Sequence, residues 1–123
     1  MILREWRAEI RRELRDEYVQ YVTRTGLAGY RDAPCNLEAG IAVRDLDEDR
    51  SEIVTLNVWR SEHDIIAFAG EDVTRAVYYP EDDRYLLSRP DRVQHYMLKG
   101  FRTSVGDGMS APGIAPPPFC SPP

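Results

Sequence analysis

The chain has 123 residues, a formal net charge of −5 at pH 7 and acidic residues dispersed along its length. This length predicts one domain with one modest core. The sequence has no basic stripe that could follow a phosphate backbone, which argues against nucleic-acid binding. It has no apolar run long enough to span a bilayer and no signal-peptide core, so we expect a cytoplasmic protein without a membrane partner.

The first half of the chain predicts a strand, a helix and a hairpin. Residues 2–10 alternate in the manner of a strand. Apolar residues at helical spacing predict a helix over residues 13–25, with Gly26 as its stop. Residues 37–44 and 51–60 then read as two strands joined by a polar turn, which predicts a β-hairpin.

The second half predicts a capped helix and a closing strand. Ser61 is a helix N-cap, and Gly70 marks the stop of that helix. A second short helical piece is expected over residues 72–77, and a last strand over residues 92–101. The resulting β-α-β-β-α-β order predicts an α+β fold with a ferredoxin-like antiparallel sheet.

The end of the chain differs in composition from the rest. Residues 103–123 hold six of the nine prolines, and Asp107 is their only charged side chain. This composition predicts a disordered extension after a folded domain of residues 1–102, with a polyproline arm that docks on a partner as the alternative. The two cysteines, Cys35 and Cys120, leave a disulfide open, although a reducing cytoplasm disfavours it.

Five segments carry a resemblance to a known family: LREWRAEI, EYVQYVTRTGLAGYR, TLNVWRSEHDIIAFAGED, RAVYYPEDDRYLL and VQHYMLKG. They resemble the antibiotic biosynthesis monooxygenase (ABM) family of dimeric α+β barrel proteins, over roughly the first hundred residues. That family includes quinol-oxidising monooxygenases and haem degraders. The resemblance implies no haem here, because residues 68–77 hold no axial histidine and Trp6 stands where those haem proteins carry an asparagine.

The candidate site combines aromatic and polar residues from several strands. Thr55, Asn57 and Trp59 share one face of the third strand by alternation, and Arg4 shares a face of the first strand with Trp6. If both faces point at the helices, they converge on one pocket. The irregular segment supplies Tyr78, Tyr79 and Tyr85 to cover its opening. The alternative is that both tryptophans are ordinary core residues.

Each candidate has an expected role if the pocket binds an aromatic molecule. Trp6 and Trp59 would form a slot, Asn57 or Arg4 would hold an oxyanion, and His95 or a tyrosine would act as the base. The alternative for His95 is a structural strand histidine whose hydrogen bonds are satisfied within the protein. Two isolated histidines without paired cysteines give no metal site, and the chain has no dinucleotide or phosphate loop, so no cofactor is expected.

Three functions fit these observations. The first is a cofactor-independent monooxygenase acting with O₂ on a small phenol- or hydroquinone-like substrate. The second is a non-catalytic homodimer that binds a small ligand or serves a stress response, and the third is a purely structural homodimer. A homodimer is expected because a four-stranded sheet with helices on one face leaves its other face in need of a cover.

Overall fold

The computed structural model describes residues 1–101. Four antiparallel strands form one open sheet in the order β2-β3-β1-β4. Their bounds are β1 Ile2–Arg11, β2 Asn36–Asp45, β3 Arg50–Trp59 and β4 Gln94–Met97. The fold is therefore α+β, and its strand order is compatible with the ferredoxin-like arrangement predicted from the sequence. The predicted hairpin of β2 and β3 is confirmed.

The strand register decides which side chains share the face that meets the helices. On β1, Arg4 stands opposite Asn57 of β3 and also opposite His95 of β4, while Trp6 stands opposite Thr55. Directly opposed residues point to the same side of a sheet, so these five residues share one face. We call it the inner face, because its side chains pack against the helical layer. The register thus fixes the phase of β4, which its short pattern left undecided.

The first helical region extends further than predicted. It begins with a 3₁₀ turn, continues as α1 (Arg15–Val22), passes through a π-helical turn (Thr23–Leu27) and ends in α2 (Ala28–Asp32). The prediction that Gly26 stops the helix is wrong. Leu27 and Tyr30 are buried beyond that glycine, so apolar burial continues the helical path past it.

The second helix matches its predicted signals. Helix α3 (Glu62–Ala69) begins after Ser61, whose Oγ accepts a hydrogen bond from the Asp64 N–H at 3.4 Å. It ends at Gly70, whose φ of 86° favours glycine. The helical piece expected over residues 72–77 is wrong, because these residues are irregular. The final strand is also shorter than predicted, since β4 spans four residues.

Two apolar clusters lie between the sheet and the helices. One contains Trp6, Tyr18 and Tyr85, and the other contains Tyr30 and Trp59. Within residues 1–101, no helix is both long and apolar enough to cross a membrane. The predictions for residues 103–123 and for a disulfide to Cys120 lie outside the described residues.

Candidate functional site

The inner face of the sheet buries polar side chains beside aromatic ones. Arg4, Thr55 and Asn57 are each at most 3% exposed. Buried polar groups normally need hydrogen-bond partners, and leaving one unpaired costs about 1–3 kcal/mol. The partners of these side chains divide the face into two neighbouring parts, a hydrogen-bond network around Arg4 and an aromatic cavity beside Trp6.

Asn57 connects β1 to the buried indole of Trp59. Its Nδ2 donates to the carbonyl oxygen of Arg4 at 3.2 Å, and its Oδ1 accepts from Nε1 of Trp59 at 2.5 Å. Both ends of the amide are therefore satisfied within the protein. Trp59 is fully buried and also lies against Phe68, with a ring-centroid distance of 6.0 Å. As placed, Asn57 holds the Trp59 ring in position, and a catalytic role for either residue stays a prediction.

Arg4 is a buried cation held mainly by backbone oxygens. Its Nη1 donates to the carbonyl of Val73, and its Nη2 donates to the carbonyl of Arg75 at 3.0 Å. Its Nε is buried without a hydrogen-bond partner, and no described carboxylate lies within ion-pair distance of the guanidinium. Burial lowers the pKa of Arg4, and the neighbouring Tyr30 hydroxyl opposes that shift. Uncompensated buried charge is costly, so this group is suited to meeting an anion.

His95 is half-buried next to this cation. Burial, followed by the positive charge of Arg4, lowers the pKa of His95 below its ordinary value of 6.5, and Glu62 opposes the shift. The ring is therefore neutral at pH 7. Nε2 of His95 lies 3.3 Å from Nη1 of Arg4. Since a guanidinium can only donate, Nε2 is the acceptor and the ring proton sits on Nδ1. In this arrangement His95 can donate a hydrogen bond from Nδ1, and it accepts a proton only after its contact with Arg4 opens.

The second part of the site is a small cavity between the sheet and the first helical region. Its volume is about 20 Å³, roughly the space that one water molecule needs. Its polar and aromatic lining is Trp6, Tyr18, Thr25, Tyr30, Thr55, Tyr79 and Asp82. We call it the aromatic cavity. Tyr30 joins it to the Arg4 network, because its hydroxyl lies 3.3 Å from Oγ1 of Thr55 and also affects the pKa of Arg4.

One wall of the aromatic cavity comes from the π-helical turn. Thr25 and Gly26 both line the cavity. A Cβ at Gly26 would come within 3.9 Å of the Tyr79 ring, which is ordinary van der Waals contact. Single π-helical turns inside α-helices occur frequently at functional sites. Gly26 is the one local feature of the sequence that marks this turn, and a glycine at that position equally predicts a helix end.

Asp82 is the functional candidate that sequence reasoning missed. An acidic run such as residues 81–83 is typical of a surface turn, yet Asp82 is only 5% exposed. Its Oδ1 accepts from the Tyr18 hydroxyl at 2.9 Å, and its Oδ2 accepts from the Tyr79 N–H at 2.6 Å. Burial raises the pKa of Asp82, and the two hydrogen bonds oppose this shift. The one local signal is that a carboxylate three residues after Tyr79 can accept its N–H.

The two adjacent tyrosines of the irregular segment point to different places. Tyr79 lines the aromatic cavity. The Tyr78 hydroxyl instead accepts from Nε1 of Trp6 at 3.2 Å and donates to the carbonyl of Pro90 at 2.5 Å. The Arg89 guanidinium lies over the Tyr78 ring, 4.3 Å from its centroid. Of these two tyrosines, Tyr79 is thus the residue placed to cover the cavity, and Tyr78 fixes the indole of Trp6.

Apart from Tyr78, the predicted site residues fall into two neighbouring sets between the sheet and the helical layer. Arg4, Asn57, Trp59 and His95 share the hydrogen-bond network, whereas Trp6, Thr55 and Tyr79 line the aromatic cavity. Within residues 1–101, no group of three histidine, cysteine or acidic side chains is arranged to hold a metal ion. Neither a protein-family model nor a curated protein matches this chain.

Proposed function

We propose that this protein binds a small phenol- or hydroquinone-like molecule between the sheet and the first helical region and oxidises it with O₂, without a cofactor. The observation that carries the proposal is the aromatic cavity next to a buried guanidinium that lacks a carboxylate partner. The aromatic walls suit a flat ring, and Arg4 suits the oxygen of that ring once it carries negative charge. The ABM resemblance supports the same reading.

A ligand has to enlarge the cavity before it can enter. A volume of about 20 Å³ is far below the several hundred Å³ of ordinary ligand sites. Tyr79 is the side chain best placed to move, because it is half-buried and belongs to an irregular segment. Its ring packs against the helical layer at Gly26 and Gly29. An outward rotation of Tyr79 would leave a slot between Trp6 and Tyr30.

The chemistry rests on the substrate, and the protein positions it. Loss of the phenolic proton makes the ring electron-rich enough to pass an electron to O₂, and Arg4 would stabilise the oxyanion that forms. In a phenol whose keto tautomer carries an activated CH₂ group, one oxygen atom of O₂ becomes the new carbonyl oxygen and the other leaves as water with both hydrogens. A simple hydroquinone instead gives two electrons and two protons to O₂ and yields a quinone and H₂O₂. Asp82 in the aromatic cavity and His95 beside Arg4 are the two candidate proton acceptors.

Oxygen uptake tests the proposal directly. Purified protein without added cofactor is mixed with a panel of anthrones and hydroquinones, and O₂ consumption is recorded above the uncatalysed rate. We expect Trp6→Phe and Arg4→Gln to lower kcat/KM by about tenfold or more, equivalent to roughly 1.4 kcal/mol of transition-state stabilisation. His63→Gln is the control, because His63 is exposed on α3. Absence of catalysed uptake with every compound would contradict the oxygenase proposal.

One observation favours a second function, binding without turnover. Both candidate proton acceptors are already occupied, Nε2 of His95 by Arg4 and the oxygens of Asp82 by Tyr18 and Tyr79. A protein that only holds an aromatic ligand needs no free base. Ligands that raise the melting temperature without causing O₂ uptake would support this function over the first.

The opposite face of the sheet supports a homodimer that assembles through its sheets. One part of this outer face is apolar, with half-buried Leu56 between Val54 and Val58, which are already buried within the single chain. The neighbouring part carries charges that pair within the chain, where Glu52 accepts from both Arg7 and Arg44 at 2.8 Å. Pairing of two sheets would cover Leu56 and give the dimeric barrel that the resemblance implies. We also propose that the protein is cytoplasmic.

A further inference from the structure

A second, larger cavity lies outside the proposed aromatic site. Its volume is about 610 Å³, and it lies between residues 72–78 and residues 89–92. We call it the arginine groove, because three of its lining side chains are arginines. Its charged and aromatic lining is Asp72, Arg75, Tyr78, Arg89, Asp91 and Arg92. It shares no lining residue with the aromatic cavity.

The backbone places two of these arginines side by side. Arg75 and Arg92 are directly opposed in an isolated antiparallel bridge. The flanking hydrogen bonds run from Ala76 N to the Asp91 carbonyl and from Val93 N to the Thr74 carbonyl, both at 2.8 Å. This pattern makes Arg75 and Arg92 a non-hydrogen-bonded pair, in which opposed side chains come closest. Like charges in that position are destabilising unless something offsets them.

The protein neutralises only some of the charge in the groove. Arg92 forms an ion pair with Asp72 at 2.5 Å, and Arg89 forms one with Asp83. The Arg75 guanidinium has no hydrogen-bond or ion-pair partner among residues 1–101. Its charge is therefore available, on the wall that also presents Arg92.

We propose that the arginine groove binds a small organic anion through a carboxylate or phosphate group, held by Arg75 and Arg92. The planar guanidinium suits both groups, because it can donate two parallel hydrogen bonds to their oxygens. A bound anion also offsets the repulsion between the opposed arginines. Because Arg92 is paired with Asp72 and Arg89 with Asp83, Arg75 is the arginine of the groove whose positive charge stays unpaired among residues 1–101. Asp91, which lines the same groove, opposes an anion and limits its affinity.

Titration calorimetry on the full chain tests this inference with two probes, inorganic phosphate and benzoate. We expect saturable binding of at least one probe, and a difference between them identifies the preferred anion. Arg75→Gln should weaken binding by about tenfold or more, since a charge-assisted contact is lost. Arg75→Lys keeps the charge without the planar fork and should lie between Arg75→Gln and the unchanged chain. Arg31→Gln removes an exposed arginine that does not line the groove and should have no effect.

A substitution of opposite sign makes the test stricter. Asp91→Asn removes a carboxylate from the lining and should tighten anion binding several-fold. Both Arg75 and Asp91 are exposed, so these variants should fold normally, which circular dichroism checks. The inference is overturned if neither probe binds at about 10 mM, if Arg75→Gln binds as tightly as the unchanged chain, or if Asp91→Asn weakens binding. None of these outcomes depends on O₂ uptake.

Discussion

Arg4 donates a hydrogen bond to His95 across 3.3 Å, from one strand of the sheet to its neighbour. Arg4 is 1% exposed and His95 is half-buried, so solvent screens their interaction poorly. The guanidinium therefore favours the neutral form of the imidazole. The proton state of His95 is set from across the sheet by Arg4, which makes the pair the most directly testable part of the candidate site.

Replacing Arg4 by glutamine should raise the pKa of His95. Burial and the charge of Arg4 both lower this pKa in the folded protein, and the substitution removes the second cause. NMR titration of the His95 ring signals measures the change, with Arg31→Gln as the control for loss of one positive charge. An unchanged titration would show that Arg4 does not control the protonation of His95.

The same pair predicts how stability depends on pH. Because the pKa of His95 lies below 6.5 in the folded chain, the unfolded chain binds the proton more readily. This contribution to the free energy of unfolding is therefore fully present above about pH 6.5 and is lost as pH falls through the lowered folded pKa. Urea unfolding at several pH values measures this contribution. As pH falls below about 6.5, the free energy of unfolding should decrease less in Arg4→Gln than in the unchanged chain.

Asp82 should make the stability of the fold depend on pH in the opposite direction to His95. Asp82→Ala should cost about 1–3 kcal/mol, because the buried Tyr18 hydroxyl loses its acceptor. Asp82→Asn keeps an acceptor oxygen and should cost less. Burial raises the pKa of Asp82, so the folded chain binds this proton more readily, and ionisation at higher pH is unfavourable. The stability gap between Asp82→Asn and the unchanged chain should then narrow as pH rises through that raised pKa.

Chemical denaturation at pH 4, 5.5 and 7 measures this gap. An exposed acidic residue provides the control, and Asp83→Asn suits it because Asp83 pairs only with exposed Arg89 in the described chain. A gap that widens with pH would mean that ionised Asp82 stabilises the fold. If Asp82→Ala lowers the free energy of unfolding no more than Asp83→Asn does, the buried hydrogen bonds of Asp82 do not stabilise the fold.

Short sequence patterns predicted the helices and strands of this fold better than they predicted the side-chain contacts of the candidate site. Ser61 and Gly70 act through hydrogen bonds and backbone angles of their own segment, so the sequence alone located α3. The predicted helix end at Gly26 is wrong because burial of Leu27 and Tyr30, a tertiary effect, continues the helix. Asp82 was hidden in an acidic run, and its burial depends on Tyr18, which is 64 residues away along the chain. The inner-face placement of His95 likewise follows only from the register with Arg4.

The two tryptophans should respond differently to substitution by phenylalanine. Trp59→Phe leaves Oδ1 of buried Asn57 without its donor, so we expect a loss of about 1–3 kcal/mol in the free energy of unfolding. Trp6→Phe leaves the Tyr78 hydroxyl bonded to the Pro90 carbonyl, so its stability cost should be smaller. If the aromatic cavity is the ligand site, Trp6→Phe should reduce ligand binding more than Trp59→Phe does, per folded molecule.

Calorimetry and denaturation on the same samples separate the two effects. Equal stability costs with unchanged ligand binding in both variants would make both tryptophans core residues without a role in the site. A larger binding defect in Trp59→Phe would instead shift the ligand toward the Arg4 network, where Asn57 and Trp59 lie.

We expect the chain to form a dimer through the outer face of the sheet. Leu56 lies on this face, and a charge there would have to be buried in a sheet-to-sheet dimer, so Leu56→Glu should yield monomers. Val43→Glu introduces the same charge on the inner-face side of the sheet, where Val43 is 43% exposed, and should leave the dimer intact. Light scattering at micromolar concentration measures both, for an interface expected to bury on the order of 1,000 Å² or more in total. A monomer in the unchanged chain, or a dimer that survives Leu56→Glu, would rule out assembly through this face.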